Sequence, residues 1–287
     1  AILSRARPGI PPATLLVQPK SRTDVQPESG AVLEILRDLF DPDAAIARAA
    51  LGRWDGIDRR VVPFAVKLLA NDELHKDATR ALSRAGDRIA GTLADHLDDA
   101  AESLAVRRRL PRALAACSSP TAVDALGRAL FDQRFDVRYH AGAALEVIRA
   151  RTGKRPADRP IWAALRKEVE TSRQMWEAQR LLDDPESDDP LSGVVERRGA
   201  HSLRHVFRLL GLVLDARPLG LSYRAIMGRD AHLRGVGLEY LENVLPPDVK
   251  RALWPLIGDD AIPPPSMSRR SIGEVLKELA ANRTTNS

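Results

Sequence analysis

Apolar positions recur along this chain with helical spacing, and an Ala-Leu pair returns at nearly constant intervals. The leucines of this pair lie 31, 32 and 31 residues apart, at Leu51, Leu82, Leu114 and Leu145. A period in the thirties with a helical internal pattern is typical of stacked helical hairpins. The sequence therefore predicts an all-α protein, an α-solenoid of about six to seven hairpins.

The second helix of each predicted repeat follows a common template. A small residue lies four positions before the marker leucine in three repeats, at Ala47, Ala78 and Ala141, and the third repeat has Leu110 there. These offsets place the residues on one helical face, where small side chains let paired helices approach closely. The template returns near the C-terminus, where Leu241 takes the marker position.

Breaks in this pattern predict four parts. Residues 1–30 are rich in proline and are expected to form an extended linker. Four regular repeats occupy 31–152, and in the third the second helix is expected from about Glu102 to Ala116. Longer hairpins continue the solenoid over 153–258, interrupted by a solvated acidic loop from Asp183 to Asp189. Residues 259–287 are expected to form a flexible tail with a short helix from Ser271 to Ala281.

The fourth unit carries the clearest motif. Its residues from Asp132 to Leu145 resemble the HEAT repeat, whose second helix follows an Asp-x4-Val-Arg-x2-Ala-x2-Ala-Leu pattern. Asp132 and Arg138 match the Asp and Arg positions of that family. The resemblance implies that these two residues tie the turns of adjacent repeats together.

Longer phrases resemble one particular group of HEAT proteins. The chain is similar to the HEAT region of bacterial proteins that also carry a membrane domain related to ADP/ATP carriers of the major facilitator type. This resemblance implies a cytoplasmic domain, tethered to the inner membrane through an upstream domain, which is itself a candidate partner. The phrases are 107–112 with 114–116, 135–139, 176–183 and 232–247.

Composition and targeting signals add limits. Apolar residues form 44% of the chain but aromatic residues only 4%, so the predicted core is aliphatic. The single cysteine, Cys117, excludes an internal disulfide, fits a reducing compartment and is expected to be a buried small residue. The most apolar run, 206–214, contains Arg208 and is too short for membrane insertion. The chain starts with Ala1, so we expect a piece of a longer polypeptide, monomeric in isolation.

The sequence carries no recognisable catalytic or ligand-binding motif. The sequence has no phosphate-binding glycine loop, no HExxH motif and no nucleophile elbow. His201 and His205 are four residues apart and could share a helix face, but no third metal ligand is suggested nearby. We therefore predict no catalytic residue, no cofactor and no metal. The four tryptophans are expected in the core.

Positive charge is concentrated in one region. Between Arg107 and Arg159, twelve basic residues face five acidic ones, a net +7 that exceeds the +5 of the whole chain. Second helices line the concave side of a HEAT solenoid, so equivalent cations would form rows there, suited to an anionic partner. The predicted row residues are Arg53 with Arg84, Arg80 with Arg112, and Lys76 with Arg108.

These observations favour a non-enzymatic scaffold or regulatory domain that binds a protein partner. The basic rows leave a second interpretation open, a solenoid that binds nucleic acid without catalysis. One enzymatic alternative is an alkylpurine DNA glycosylase, an activity that some HEAT-like solenoids have. Another alternative, a lyase or chaperone acting on a bilin-type cofactor, rests only on the existence of HEAT-like lyases.

Overall fold

The computed structural model describes residues 27–182, 192–228, 230–257, 273–274 and 277. This part of the chain consists of α-helices, short 3₁₀ segments and connecting turns, without a β-strand. The predicted all-α class is confirmed there. Residues 1–26 of the predicted linker, the acidic loop from Asp183 to Asp189 and most of the predicted tail lie outside the described residues.

The helices follow the predicted order of hairpins. The described chain holds six hairpins and a final helix, and the helices α10 and α11 are longer than those before them. Their bounds are α1 (Pro27–Leu39), α2 (Ala44–Arg53), α3 (Val62–Lys67), α4 (His75–Ala85), α5 (Ala90–Asp98), α6 (Leu104–Arg107), α7 (Leu110–Leu114), α8 (Pro120–Ala129), α9 (Phe135–Thr152), α10 (Asp158–Leu182), α11 (Ser192–Val213), α12 (Ala216–Met227), α13 (Ala231–Val244) and α14 (Pro247–Ile257).

Two prolines account for differences from the predicted boundaries. Helix α1 begins at Pro27, four residues before the expected start at Ala31, since a proline in the first turn has no amide hydrogen that needs a partner. In the third unit the single helix expected from Glu102 to Ala116 is wrong, because the chain forms α6 and α7 instead. Pro111 cannot donate the backbone hydrogen bond that would continue α6.

The second helices form a row. Helix α2 packs on α4, α4 on α7, α7 on α9, and α9 on α11. On the other side, α1 packs on α3 and α5 on α8. We call α2, α4, α7, α9 and α11 the second-helix row. The arrangement is an α-solenoid, as predicted.

The stacking order changes after α11. Helix α12 packs on both α11 and α13, and α14 returns to pack on α10. Leu241 is buried in α13, but it is mainly α12 that packs against α11. The fifth hairpin, formed by α10 and α11, is therefore covered by α14 on α10 and by α12 on α11.

The repeating residues build the core. The marker leucines Leu51, Leu82, Leu114 and Leu145 are each at most 1% exposed, and burial of a leucine side chain contributes about 1.5–3 kcal/mol. Their partner alanines are buried as well. Trp54 also lies in the core, as expected, while Trp162 and Trp254 are partly buried against it.

Candidate functional site

Some cations of the predicted basic rows bind other groups of the described chain, and others do not. Arg53 of α2 donates to Asp38 at 2.5 Å, and Arg80 of α4 donates to Asp77 at 3.0 Å. Hydrogen bonds from Arg53 and then Arg37 hold the pKa of the Asp38 carboxyl below its usual range. These two row positions therefore already have carboxylate partners.

Arg84 is bound to backbone atoms of the chain and has no carboxylate partner among the described residues. Its guanidinium donates to the carbonyl oxygens of Leu51 at 2.6 Å and Trp54 at 3.2 Å, at the C-terminal end of α2. The last carbonyls of a helix lack intrahelical partners and carry partial negative charge. Arg84 thus caps the second helix of the preceding unit.

The same contact recurs further along. Arg151 of α9 donates to the carbonyl oxygens of Ala115 and Cys117 at 3.0 and 2.7 Å, just beyond α7. Arg149 donates to the Leu214 carbonyl at 3.1 Å, just beyond α11. Arginines of one unit therefore cap helices of its neighbours in several places.

Three row residues remain without such contacts. Within the described part of the chain, Lys76, Arg108 and Arg112 have no ion-pair partner. Lys76 and Arg112 are exposed, and Arg108 is half-buried. The uncompensated part of the predicted rows therefore lies on α4 and around α7.

The two residues that match the HEAT motif connect three units. The Asp132 carboxylate pairs with Arg107 of the preceding unit. Arg138 donates to the Asp132 and Gln133 carbonyls at 3.0 and 3.1 Å and to Glu168 of α10 at 2.8 Å. These contacts place both residues at junctions between units.

The Arg138–Glu168 ion pair is buried. The two side chains are 8% and 3% exposed, and Glu168 Oε1 has no hydrogen-bond partner among the described residues. A buried pair is costly to desolvate, so loss of one partner is expected to cost much more than loss of both.

An aromatic and cationic cluster between α9 and α11 was not predicted. Tyr139 is its centre, with the Arg208 guanidinium 4.5 Å above its ring and the rings of His140 and His201 centred 5.4 and 5.5 Å away. We call this the tyrosine cluster. Its members are Phe135, Tyr139, His140, His201, Arg204, His205 and Arg208.

Arg204 joins the cluster through hydroxyl groups. Hydrogen bonds to Tyr223 and Tyr139 are the main causes that raise its pKa above the usual value. Arg204 and Arg208 are four residues apart on a helix, a spacing that places them on one face of α11. The sequence shows that spacing. It does not show that the two arginines contact Tyr139 of α9.

The ring of His205 on α11 packs against Gly142 of α9. A Cβ atom at Gly142 would come within 2.8 Å of the His205 ring, so the glycine makes room for it. The ring is fully buried and neither nitrogen has a hydrogen-bond partner among the described residues. Burial, followed by the charges of Arg138 and Arg208, lowers the pKa of His205 to about 3.

The two histidines considered as metal ligands have different environments. His201 is exposed beside Tyr139, whereas His205 is buried. The described side chains contain no group of three or more His, Cys, Asp or Glu residues arranged to hold a metal. Cys117 is buried as expected, and burial together with Asp87 raises the pKa of its thiol to about 11, which makes the reactive thiolate scarce.

Comparison with known proteins adds little to these contacts. No family model matches the chain, and no curated protein matches it. A designed armadillo repeat protein is similar in structure over 78% of this chain and 97% of that chain, at 18% identity and a TM-score of 0.30. A score this low supports no conclusion. The stacked hairpins themselves show that the chain is a helical-repeat protein.

None of the described helices combines the length and apolar character that a membrane span requires.

The buried ion pair gives a first prediction. Replacing Arg138 with Met should reduce the free energy of unfolding by about 3–5 kcal/mol, because Glu168 is left as a buried, uncompensated charge. The double variant Arg138→Met/Glu168→Leu should lose less. Urea unfolding followed by circular dichroism measures both values.

The exposed pair Arg128–Asp98 supplies the matched control. Both of its side chains are over 40% exposed, so Arg128→Met should cost no more than about 1 kcal/mol. Equal losses for Arg138→Met and Arg128→Met would show that the buried pair has no special role.

His205 gives a second prediction, on pH. The unfolded histidine takes up a proton below about pH 6.5, whereas the folded one stays neutral down to about pH 3. The unfolded state therefore binds more protons in this window, and stability falls as pH falls. Between pH 7 and pH 5 we expect His205 to lower the free energy of unfolding by roughly 2 kcal/mol. This part of the decrease should be absent in His205→Leu.

Urea unfolding at pH 7 and pH 5 compares the two proteins. His140, whose pKa burial and Arg112 lower to about 4, is present in both, so the difference between them isolates His205. An identical pH dependence in parent and variant would rule out a buried neutral His205.

Proposed function

We propose that this protein is a non-enzymatic, HEAT-type scaffold or regulatory domain that binds a protein partner on its second-helix row. The observation that carries the proposal is the unbroken stacking of α2, α4, α7, α9 and α11. This stacking gathers side chains from five units on one continuous face. A repeat array of this kind offers an extended surface rather than a single pocket.

The contacts between units support a binding role. Arg84, Arg138 and Arg151 each anchor one unit to another through backbone carbonyls or a buried carboxylate. The relative positions of the row helices are therefore set before a partner arrives. A preorganised surface loses less conformational entropy on binding.

We further propose that the domain belongs to a larger, membrane-attached protein and lies on the cytoplasmic side. Support comes from the sequence phrases that resemble the HEAT region of carrier-like bacterial proteins, including 107–112 before and within α7 and 232–247 along α13. The upstream membrane domain would then be a partner in its own right, alongside a separate protein. In isolation we expect this piece to be monomeric.

Nucleic acid is a second candidate partner. The cations without ion pairs, Lys76, Arg108 and Arg112, favour it, because phosphate binding relies on basic side chains that are not already compensated. Binding without catalysis fits the site better than a glycosylase, since we assign no catalytic group among the cluster residues.

The membrane-attached proposal predicts the content of the complete reading frame. It should encode about a dozen apolar segments of roughly 20 residues upstream of Ala1, since each span needs that length to cross the hydrocarbon core. Sequencing the gene and its transcript settles the point. A reading frame that lacks such segments would contradict the attachment and leave the binding role untouched.

The binding role predicts where a partner can be cross-linked. A photoreactive amino acid at Val147 of α9 or Lys76 of α4, both exposed on the second-helix row, should yield covalent adducts with a protein in a lysate of the source cells. The same substitution at Thr121 or Asp124, exposed on α8, should not. Mass spectrometry identifies the adducts.

Two results would contradict the binding role. One is the formation of adducts from α8 but not from the row. The other is turnover of a small molecule by the purified protein, with no protein adduct from any position.

A further inference from the structure

Arginines of the two neighbouring row helices lie on both sides of α9. Arg108 and Arg112, next to and within α7, act together with Arg208 of α11 on His140 of α9. Burial is the first cause of the lowered pKa of His140, and the positive charges of Arg112, Arg208 and Arg108 add to it, opposed by Asp136. Cations thus flank α9 on both sides.

Between these cations, α9 exposes an apolar strip beside two carboxylates, Asp136 and Glu146. Tyr139, Ala143 and Val147 recur at four-residue steps, so they share one face of the helix. Val147 is 51% exposed, and Tyr139 and Ala143 are half-buried. An apolar strip bordered by guanidinium groups is the composition of a protein-binding surface rich in arginine and aromatic residues.

Arg208 is held in place and has unused hydrogen-bonding capacity. Its guanidinium lies over Tyr139, its Nε is 3.2 Å from Glu146, and its Nη1 is buried without a hydrogen-bond partner among the described residues. A guanidinium restrained in this way loses little entropy when it binds a second carboxylate.

We infer that the face formed by α7, α9 and α11 binds an acidic, apolar-containing segment of a protein partner. The segment places an aliphatic side chain on the Tyr139–Val147 strip and carboxylates on Arg108, Arg112, Arg204 and Arg208. This inference rests on the proposed scaffold function and specifies the partner's chemistry.

The arrangement of the aromatic rings favours a protein over a nucleic acid. Nucleic acids bind such surfaces by stacking bases on open aromatic faces. Here Arg208 covers the ring of Tyr139, and Phe135 and His201 lie against it at ring distances of 5.7 and 5.5 Å. The strip beyond Tyr139 is aliphatic, at Ala143 and Val147, and offers nothing to a base.

Helix spacing sets the spacing of charges in the segment. Neighbouring packed helices lie about 8–10 Å apart, so cations on α7 and α11 are separated by roughly 16–20 Å across α9. An extended chain advances about 3.3 Å per residue. Pairs of acidic residues about five positions apart, with an apolar residue between them, therefore match the site.

The test uses a fluorescein-labelled peptide with this pattern, Glu-Glu-Gly-Leu-Gly-Glu-Glu, and measures fluorescence polarisation against the full chain. We expect saturable binding that Arg112→Gln and Arg208→Gln each weaken by at least about fivefold, since each removes a charged hydrogen-bond donor. Arg128→Gln removes an equal charge from α8, at the exposed ion pair with Asp98 of α5, and should leave binding unchanged.

Three further probes keep the inference specific. A peptide with Lys in place of Glu should not bind, and one with Gly in place of Leu should bind more weakly. Arg112 has no ion pair within the described chain, so Arg112→Gln should remain folded even if Arg208→Gln does not, and circular dichroism checks both. A thymidine oligonucleotide of matched charge should bind more weakly than the acidic peptide.

The outcomes separate this inference from the scaffold function. Tighter binding of the oligonucleotide, weakened by the same two variants, would overturn the inference in favour of a nucleic-acid site. No peptide binding, together with protein adducts from Val147, would overturn the acidic segment while the scaffold function stands. Equal weakening by Arg128→Gln would show nonspecific charge attraction and would also overturn it.

Discussion

Arginine side chains that reach from one unit to the backbone carbonyls of another hold this solenoid together at its turns. The ends of short helices are its weak points, because up to four carbonyls at each C-terminus lack an intrahelical partner. Arg84 and Arg151 supply those hydrogen bonds from adjacent units, and Arg109 does so at the Leu69 carbonyl, 2.5 Å away. One contact therefore satisfies a helix end and fixes the orientation of a neighbour.

The aliphatic core and the arginine contacts have different roles. Leucines such as Leu82 and Leu145 fill the space between hairpins, and burial of apolar surface has no directional preference. Hydrogen bonds from a planar guanidinium do have one. The leucine core therefore stabilises the hairpins without fixing their relative rotation, and the arginine hydrogen bonds add directional contacts between adjacent units. A surface that spans several units can be rigid only when both are present.

The sequence predicted the core better than the polar contacts, for a physical reason. The spacing of the marker leucines follows from the helix period, which is local, so the hairpins and their buried faces could be foreseen. The break at Pro111 was foreseeable as well and was missed because the apolar pattern continues through it. The role of Arg84 depends on which atoms of another unit lie opposite, and no local pattern encodes that. The tyrosine cluster was missed for the same reason, since Tyr139 and Arg208 meet only when α9 and α11 stack.

Some arginines bind groups within the described fold and others do not, which changes the interpretation of the net positive charge of residues 107–159. Several of the basic residues counted there are committed within the fold, because Arg107, Arg109 and Arg138 bind carboxylates or carbonyls of other units. A guanidinium whose charge is already compensated contributes little to attracting a partner. Of the cations that remain, Arg108 and Arg112 lie beside α9 and have no ion pair in the described chain. A net charge summed over the sequence therefore overstates the extent of the proposed binding surface, whose location is inferred from the contacts.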